Sequence, residues 1–574
     1  MDLEERVSYI NSTNSAAAHG GKQLDDTFIQ IKSPSKDFGD LDDGAIVEGG
    51  ALNLLSREAM GLFMQYGAIG VIYGLIPALS YPIFTVYLNL EGYQTSAYSV
   101  LVVIGWSYKI FFGALSDCFP IFGYRRKPYM VIGWIFTMIC LAIMAFSNLG
   151  EPYCNREKTK YCGTTLSQVP ASELQYFNFN APNKGTTFIV LSMLVSFGYV
   201  LADCAADAMV VEYAQREPIA IRGRVQTAIY TVRTITGMFA LCISGFGLNG
   251  VNYKGSFSFS MAPNVPYGLC LIPCVLVVIL TFWLVVDKKH QGEPVRVYAA
   301  KIWDLLQQRA VWQICAFRFV VSGLQAIGVT ATSPVSAYWA KVEPLNDSLS
   351  QIIGNGIYAI FLFVVGKWGL HWNWRYCIAI ATLSVIVIDG FVAFMTIWDV
   401  VRNQWFFTGV ALADQVPTSV RFIVATYCAV EVADVGTEGA TYGLISSIQN
   451  LMLPFGSVIY KYIDSYFKVS VNDIKADTNE VRWDVTYVYL ISYGCKVVSL
   501  VGLLLLPPQR PQIQALKKKG QRSKVAAVIV IVGFLAVLAF ATTSNIMSIY
   551  PSTKCYRIAG GNGKLDPTTG KCPK

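Results

Sequence analysis

GALSDCFPIFGYRRKP, residues 113–128, carries an acid at Asp117, a short Pro/Gly turn and three consecutive cations, Arg125, Arg126 and Lys127. It lies between two apolar runs, 97–115 and 129–147. A bilayer core of about 30 Å needs roughly 20 apolar residues per helical crossing, and only helices or closed barrels satisfy their backbone groups in lipid. The runs show no two-residue alternation, which excludes the barrel. Residues 113–128 therefore read as a short polar loop joining two membrane helices.

Outward from this loop the pattern repeats. Spans one to six are expected near 67–90, 97–115, 129–147, 187–211, 225–248 and 265–286. Spans seven to twelve are expected near 310–338, 351–370, 376–397, 404–430, 438–462 and 484–507, and a thirteenth follows at 525–549. The 574-residue chain is 54% hydrophobic and only 14% charged, where soluble domains run nearer a quarter. Its net charge of +8 resides in short loops between spans and so gives no sign of a nucleic-acid partner. With the N-terminus cytosolic, the basic loops fall inside, as the positive-inside rule requires. They are Arg125–Lys127, then Arg216, Arg222 and Arg224, then Lys288 to Arg309, and finally Lys517 to Lys524.

The domain division expected is a disordered acidic cytosolic tail (1–60), a six-helix bundle (61–286), a cytosolic linker (287–309), a second six-helix bundle (310–507), a basic linker (508–524), an extra membrane helix (525–549) and an extracytoplasmic tail (550–574). Two parallel sets of six are the major facilitator arrangement. A short echo between Gln226–Arg233 and Tyr442–Gln449 fits a duplication. Cys154 and Cys162 fall in one outer loop and Cys555 and Cys572 in the outer tail, where each pair could form a disulfide. Asn346–Ser348 is a glycosylation sequon in an expected outer loop, and the Asn11 sequon would be cytosolic and silent.

Ionisable groups inside the bilayer cost about 2.5 kcal/mol or more each and usually serve function. Lys109, Asp203, Asp207 and Arg233 are such groups. At 1.5 Å per residue from the inner helix ends, Lys109, Asp203 and Arg233 lie about 12 Å deep, in one layer. Asp203 and Asp207 share a face at i, i+4, and Asp207, nearer the surface, is placed to reach the Arg125 cluster. Lys109 and Arg233 suit substrate carboxylates, and Asp203 and Asp207 suit proton coupling. The competing reading is a static network that neutralises itself. In the second half, Arg318 and Gln325 lie seven apart on span seven, while Glu438, Gln449 and Asn450 lie on span eleven. Amides suit a heteroaromatic ring with alternating donors and acceptors, and they also serve as interhelical glue. Trp106 and Tyr230 are candidate stacking partners. Gly67, Gly70, Gly74 and Gly113 read as close-packing positions, and Asp389 in span nine has no assigned partner.

The segment WSYKIFFGALSDCFPIFGYRRKPYMVIGW resembles the signature of the folate–biopterin transporter family, within the major facilitator superfamily. ADCAADAMVVEYAQ in span four and GTEGATYGLISSIQN at the entry to span eleven are similar to further family segments. Major facilitator proteins carry an acid–turn–basic cluster in this loop, so Asp117, Arg125, Arg126 and Lys127 are expected to form a cytosolic gate. A second latch around Gly366 and Arg375 is degenerate. The acidic tail, the long 148–186 loop and the thirteenth span depart from the family pattern. The resemblance implies proton-coupled uptake of folates or pterins by a monomer, in the plasma membrane or an organelle membrane. Relatives that carry S-adenosylmethionine keep other metabolites open, as does a receptor that kept the fold and lost transport.

An ATP-driven pump would need GxxxxGK[ST], which is missing, and three histidines in the whole chain make a histidine metal cluster implausible. No cofactor or metal is expected. An intramembrane enzyme would need a compact nucleophile or metal constellation, and none stands out.

Overall fold

A computed structural model describes residues 49–214, 216–218, 224–368, 372–422, 438–566 and 572. The acidic residues of the tail, the Asn11 sequon, Arg222, the end of span ten and the side chains of Gly366 and Glu438 lie outside the described residues. The described backbone is helix and loop, with isolated bridges only. Among the described residues nine helices are long and apolar enough to cross a membrane, ten if a bent pair is one span.

The spans are an all-α major facilitator arrangement with an added C-terminal helix. Span one is the helix Arg57–Ala78 continued by a π-helical turn, Ser80–Tyr87, and Ser56 caps its start by accepting from the Ala59 N–H. Span two is the bent pair, Gly92–Leu101 and Ile104–Cys118, with 47° between its parts. The bend falls where Gly105 packs against span four: an added Cβ would sit 2.6 Å from the Ser196 carbonyl. Spans three to six are Lys127–Phe146, Ala181–Ala214, Arg224–Gly247 and Val265–Leu284. Span seven is broken into Arg309–Phe317, a π segment Arg318–Ser322 and shorter pieces up to Trp339. Spans eight and nine are Pro344–Trp368 and Trp374–Ile397, and span ten begins at Gln404–Ala411. Span eleven is Glu438–Asp464, span twelve Asn479–Ser499 with a 3-10 extension to Leu505, and span thirteen Lys524–Met547.

Packing follows side-chain size. Gly70 and Gly74 bring span one onto span five, since added Cβ atoms would lie 2.3 Å from the Arg233 carbonyl and 2.6 Å from the Gly237 carbonyl. Without a solvent-driven force between helices in lipid, such small-residue contacts are what hold them together. Gly67 and Gly113 are not such positions: their nearest neighbours, Val232 and Cys204, would stand at ordinary contact distance. Large apolar side chains remain exposed along spans three, six and thirteen, including Ile139, Ile279, Trp283 and Ile529, as lipid-facing surface would.

Both cysteine pairs are disulfides, Cys154–Cys162 and Cys555–Cys572. They lie on one face, where Lys554 reaches Asn183 at the start of span four at 2.8 Å. The Asn346 sequon is not displayed in a loop. Asn346 is 3% exposed inside the span-eight helix, and its amide oxygen accepts from Thr408 at 2.6 Å.

Candidate functional site

Span two restarts as an α-helix at Lys109, which puts an ammonium at the positive end of a helix. Two carboxylates of span four offset that cost. Lys109 Nζ pairs with Asp203 Oδ2 at 2.9 Å and also with Asp207 Oδ2. The i, i+4 spacing of the aspartates allows one ammonium to hold both. Their surroundings differ. Asp207 is 25% exposed and accepts from the Tyr66 hydroxyl, whereas Asp203 is 1% exposed and its Oδ1 is buried without a hydrogen-bond partner among the described residues.

Arg233 of span five completes the layer differently. Its guanidinium stands over three rings, 5.0 Å from the centroid of Tyr230 and 5.9 Å from those of Tyr73 and Trp106. Among the described residues no carboxylate lies within ion-pair distance of it. Trp106 also carries Lys109 Nζ 4.9 Å from its ring centroid, and its indole N–H donates to the Tyr199 hydroxyl at 3.1 Å. Tyr73, Tyr66 and Tyr199 were not singled out from sequence. In a chain with 32 tyrosines only helix rotation distinguishes them.

The second half contributes less than expected. Asn450 Nδ2 donates to the Trp106 carbonyl at 3.5 Å and links span eleven to the layer, while Gln449 is half-buried. Gln325 instead donates to Thr382 of span nine at 3.0 Å and accepts from Arg421 of span ten at 3.3 Å. Arg318 is buried where the π segment starts. That segment has a wider turn than an α-helix, so the seven-residue spacing no longer places Arg318 and Gln325 on one face. Asp389 accepts from the Tyr493 hydroxyl of span twelve at 2.8 Å.

At the loop between spans two and three, Arg126 Nη1 pairs with Asp117 Oδ1 at 2.8 Å and donates to Ser116. Arg125 and Arg126 meet Glu212, at 3.8 and 3.6 Å. Glu212, not Asp207, is the span-four partner, because Asp207 is held about a turn and a half deeper by Lys109 and Tyr66. Lys127 stays outside this latch: its ammonium donates to the Phe282 carbonyl at 2.9 Å, at the negative end of span six. Asp287, also missed from sequence, caps span three by accepting from the Arg126 and Lys127 N–H groups at 3.0 Å. A cavity of about 370 Å³ opens beside the latch, lined in part by Arg125, Glu212, Tyr213, Arg216 and Asp287. It lies toward the helix ends from the Lys109 layer. All these residues belong to the first six spans, and on the disulfide face the two halves touch directly. There Tyr338 donates to Asn89 at 2.5 Å, Tyr81 to the Val342 carbonyl at 2.5 Å, and the Val471 N–H to Glu91 at 2.8 Å.

The fold is that of a multi-pass, all-α membrane protein of major facilitator architecture. A D-xylose–proton symporter superposes with a TM-score of 0.54 at 15% identity, over 78% of this chain and 97% of that one. The inward-open xylose transporter of E. coli gives 0.50 at 16% identity, over 80% and 99%. The chain is similar to the folate–biopterin transporters: the BT1 family model matches residues 70–153. The folate-biopterin transporter of Synechocystis is 21% identical over 74% of this chain and 77% of its own length. Folate transporter 1 of Plasmodium falciparum is 20% identical over 74% and 75%.

Proposed function

We propose that the protein is a proton-coupled secondary transporter of folate- or pterin-type anions, working by alternating access as a monomer. The division into halves at 61–286 and 310–507 and a cytosolic N-terminus belong to the same reading, in a plasma or organelle membrane. The observation that carries it is Arg233, which has no carboxylate within ion-pair distance among the described residues and is set among Tyr73, Trp106 and Tyr230. A guanidinium offers a planar fork to a carboxylate, and the rings offer stacking faces to a pterin. The two relatives named for folate support the substrate class.

Asp203 is the proton site in this reading. Its unpartnered Oδ1 can take a proton without breaking the Lys109 contact at Oδ2. Protonation weakens the hold on Lys109, which then turns with Asp207 toward the solute. In this reading the Asp117–Arg126–Glu212 latch serves as the cytosolic gate. The test is uptake of labelled folate into proteoliposomes under an imposed pH gradient. Wild-type protein accumulates folate and Arg233→Gln loses at least tenfold in uptake, with an unchanged melting temperature. Binding of folate without accumulation in the wild type would favour a receptor instead.

A further inference from the structure

The disulfide face carries a cluster that the transport layer does not use. Two lysines from separate segments meet there, within electrostatic reach of a third cation, Arg156. Arg156 comes from the loop clipped by Cys154–Cys162, Lys254 from the segment between spans five and six, and Lys475 from the short helix Val471–Ala476 between spans eleven and twelve. Lys254 and Lys475 approach the ring of Tyr338, at 5.4 and 4.8 Å from its centroid, and Lys475 is also 5.8 Å from that of Tyr153. Lys254 donates to the Ala337 carbonyl, so the cluster straddles the seam between the bundles. Among the described residues none of the three is in an ion pair. Glu91, whose charge Lys475 feels, accepts from the Val471 N–H, and Asp473 caps the same short helix. Lys254 also holds a left-handed backbone, φ 63°, where a lysine is disfavoured against glycine.

We infer that Arg156, Lys254 and Lys475 form a small-anion site at the seam on the disulfide face, taking an oxyanion such as a carboxylate or phosphate. Unpaired, desolvated like charges are costly, and an anion among them would convert repulsion into charge-assisted hydrogen bonds. The aromatic faces lower the cost of the empty site and leave the ammonium N–H groups to donate. Burial, then the charges of Arg156, Lys341 and Lys475, pushes Lys254 down to about 7. Burial, then Arg156, with Glu91 opposing, pushes Lys475 down to about 8. Occupancy therefore weakens as pH rises through 7 to 8. The oxyanion is either a free inorganic ion or the carboxylate of an arriving solute.

The experiment is thermal unfolding of the purified full-length protein at pH 7, with sodium phosphate titrated against sodium chloride of equal ionic strength. Phosphate is expected to raise the melting temperature of wild type and of Arg233→Gln alike, which separates this site from the transport layer. Lys254→Gln with Lys475→Gln should raise the half-maximal phosphate concentration at least tenfold, and should melt above wild type without anion because repulsion has been removed. Arg156→Gln gives the same direction if that double variant does not fold. Folate stabilisation lost in the double variant assigns the site to the solute carboxylate; folate stabilisation kept, with the phosphate response gone, assigns it to a free anion. An unchanged phosphate response, or a lower anion-free melting temperature, overturns the inference.

Discussion

Replacing Lys109 by methionine keeps the volume and removes the charge that two aspartates share. Breaking a buried ion pair by removing one partner costs about 3–5 kcal/mol, because the remaining charge is left uncompensated. Lys109 keeps 17% side-chain exposure and Asp207 25%, so solvent relieves part of this and the lower end, about 3 kcal/mol, is expected. At roughly 2 °C per kcal/mol for a large chain, Lys109→Met should melt about 6 °C below wild type. Fluorescence of the 12 tryptophans in neutral detergent reads this directly. Adding Asp203→Asn and Asp207→Asn should recover most of the loss, to within about 1 kcal/mol, since the neutral set leaves no orphaned charge. The cycle then yields a coupling of at least about 2 kcal/mol, the single-variant loss less what remains in the triple, plus whatever the two asparagines cost on their own. A single variant that melts like wild type, or a triple variant whose loss is the sum of its parts, would refute the shared pairing.

Arg126→Ala removes both the Asp117 and the Glu212 contacts and should bias the protein toward inward opening, read as faster labelling of a cysteine placed at the latch face; unchanged labelling contradicts the gate. Gly70→Leu forces span one off the Arg233 carbonyl and the Thr236 hydroxyl, with an overpacking cost of about 1–3 kcal/mol and weaker folate binding, while Gly67→Ala should leave binding unchanged. Glu91 lies between spans one and two, and burial holds its carboxyl above the usual range. A raised folded-state value means that its contribution is fully present below the ordinary carboxylate value and is lost as pH climbs through the folded one. Glu91→Gln, whose amide oxygen still accepts from Val471, should match wild type in melting temperature at pH 4 and exceed it at pH 8.

The reading from sequence goes furthest where one physical rule dominates. Apolar length alone locates most of the spans, and Lys109, Asp203 and Arg233, chosen for the cost of charge in lipid, stand close to Trp106 or to one another. It falls short where two elements must be rotated against each other. Glu212 lies past the expected end of span four, and only the observed continuation of that helix to Ala214 brings it to Arg125 and Arg126. The break of span seven at Arg318 has no Gly or Pro signal within the π segment, and Gln325 turns to Thr382 of span nine and Arg421 of span ten. The Tyr73–Trp106–Tyr230 cage consists of residues too common in this chain to be chosen without knowing which way each helix turns. Asp287, in the stretch read as linker, contributes a helix cap that no local pattern announces.

The account depends most on Asp203 carrying the proton, and Asp203→Asn in proteoliposomes tests it directly. Folate accumulation driven by a pH gradient should disappear while folate-for-folate exchange across the same membrane persists. Loss of both in equal measure from a folded protein, or accumulation at the wild-type level, would contradict it.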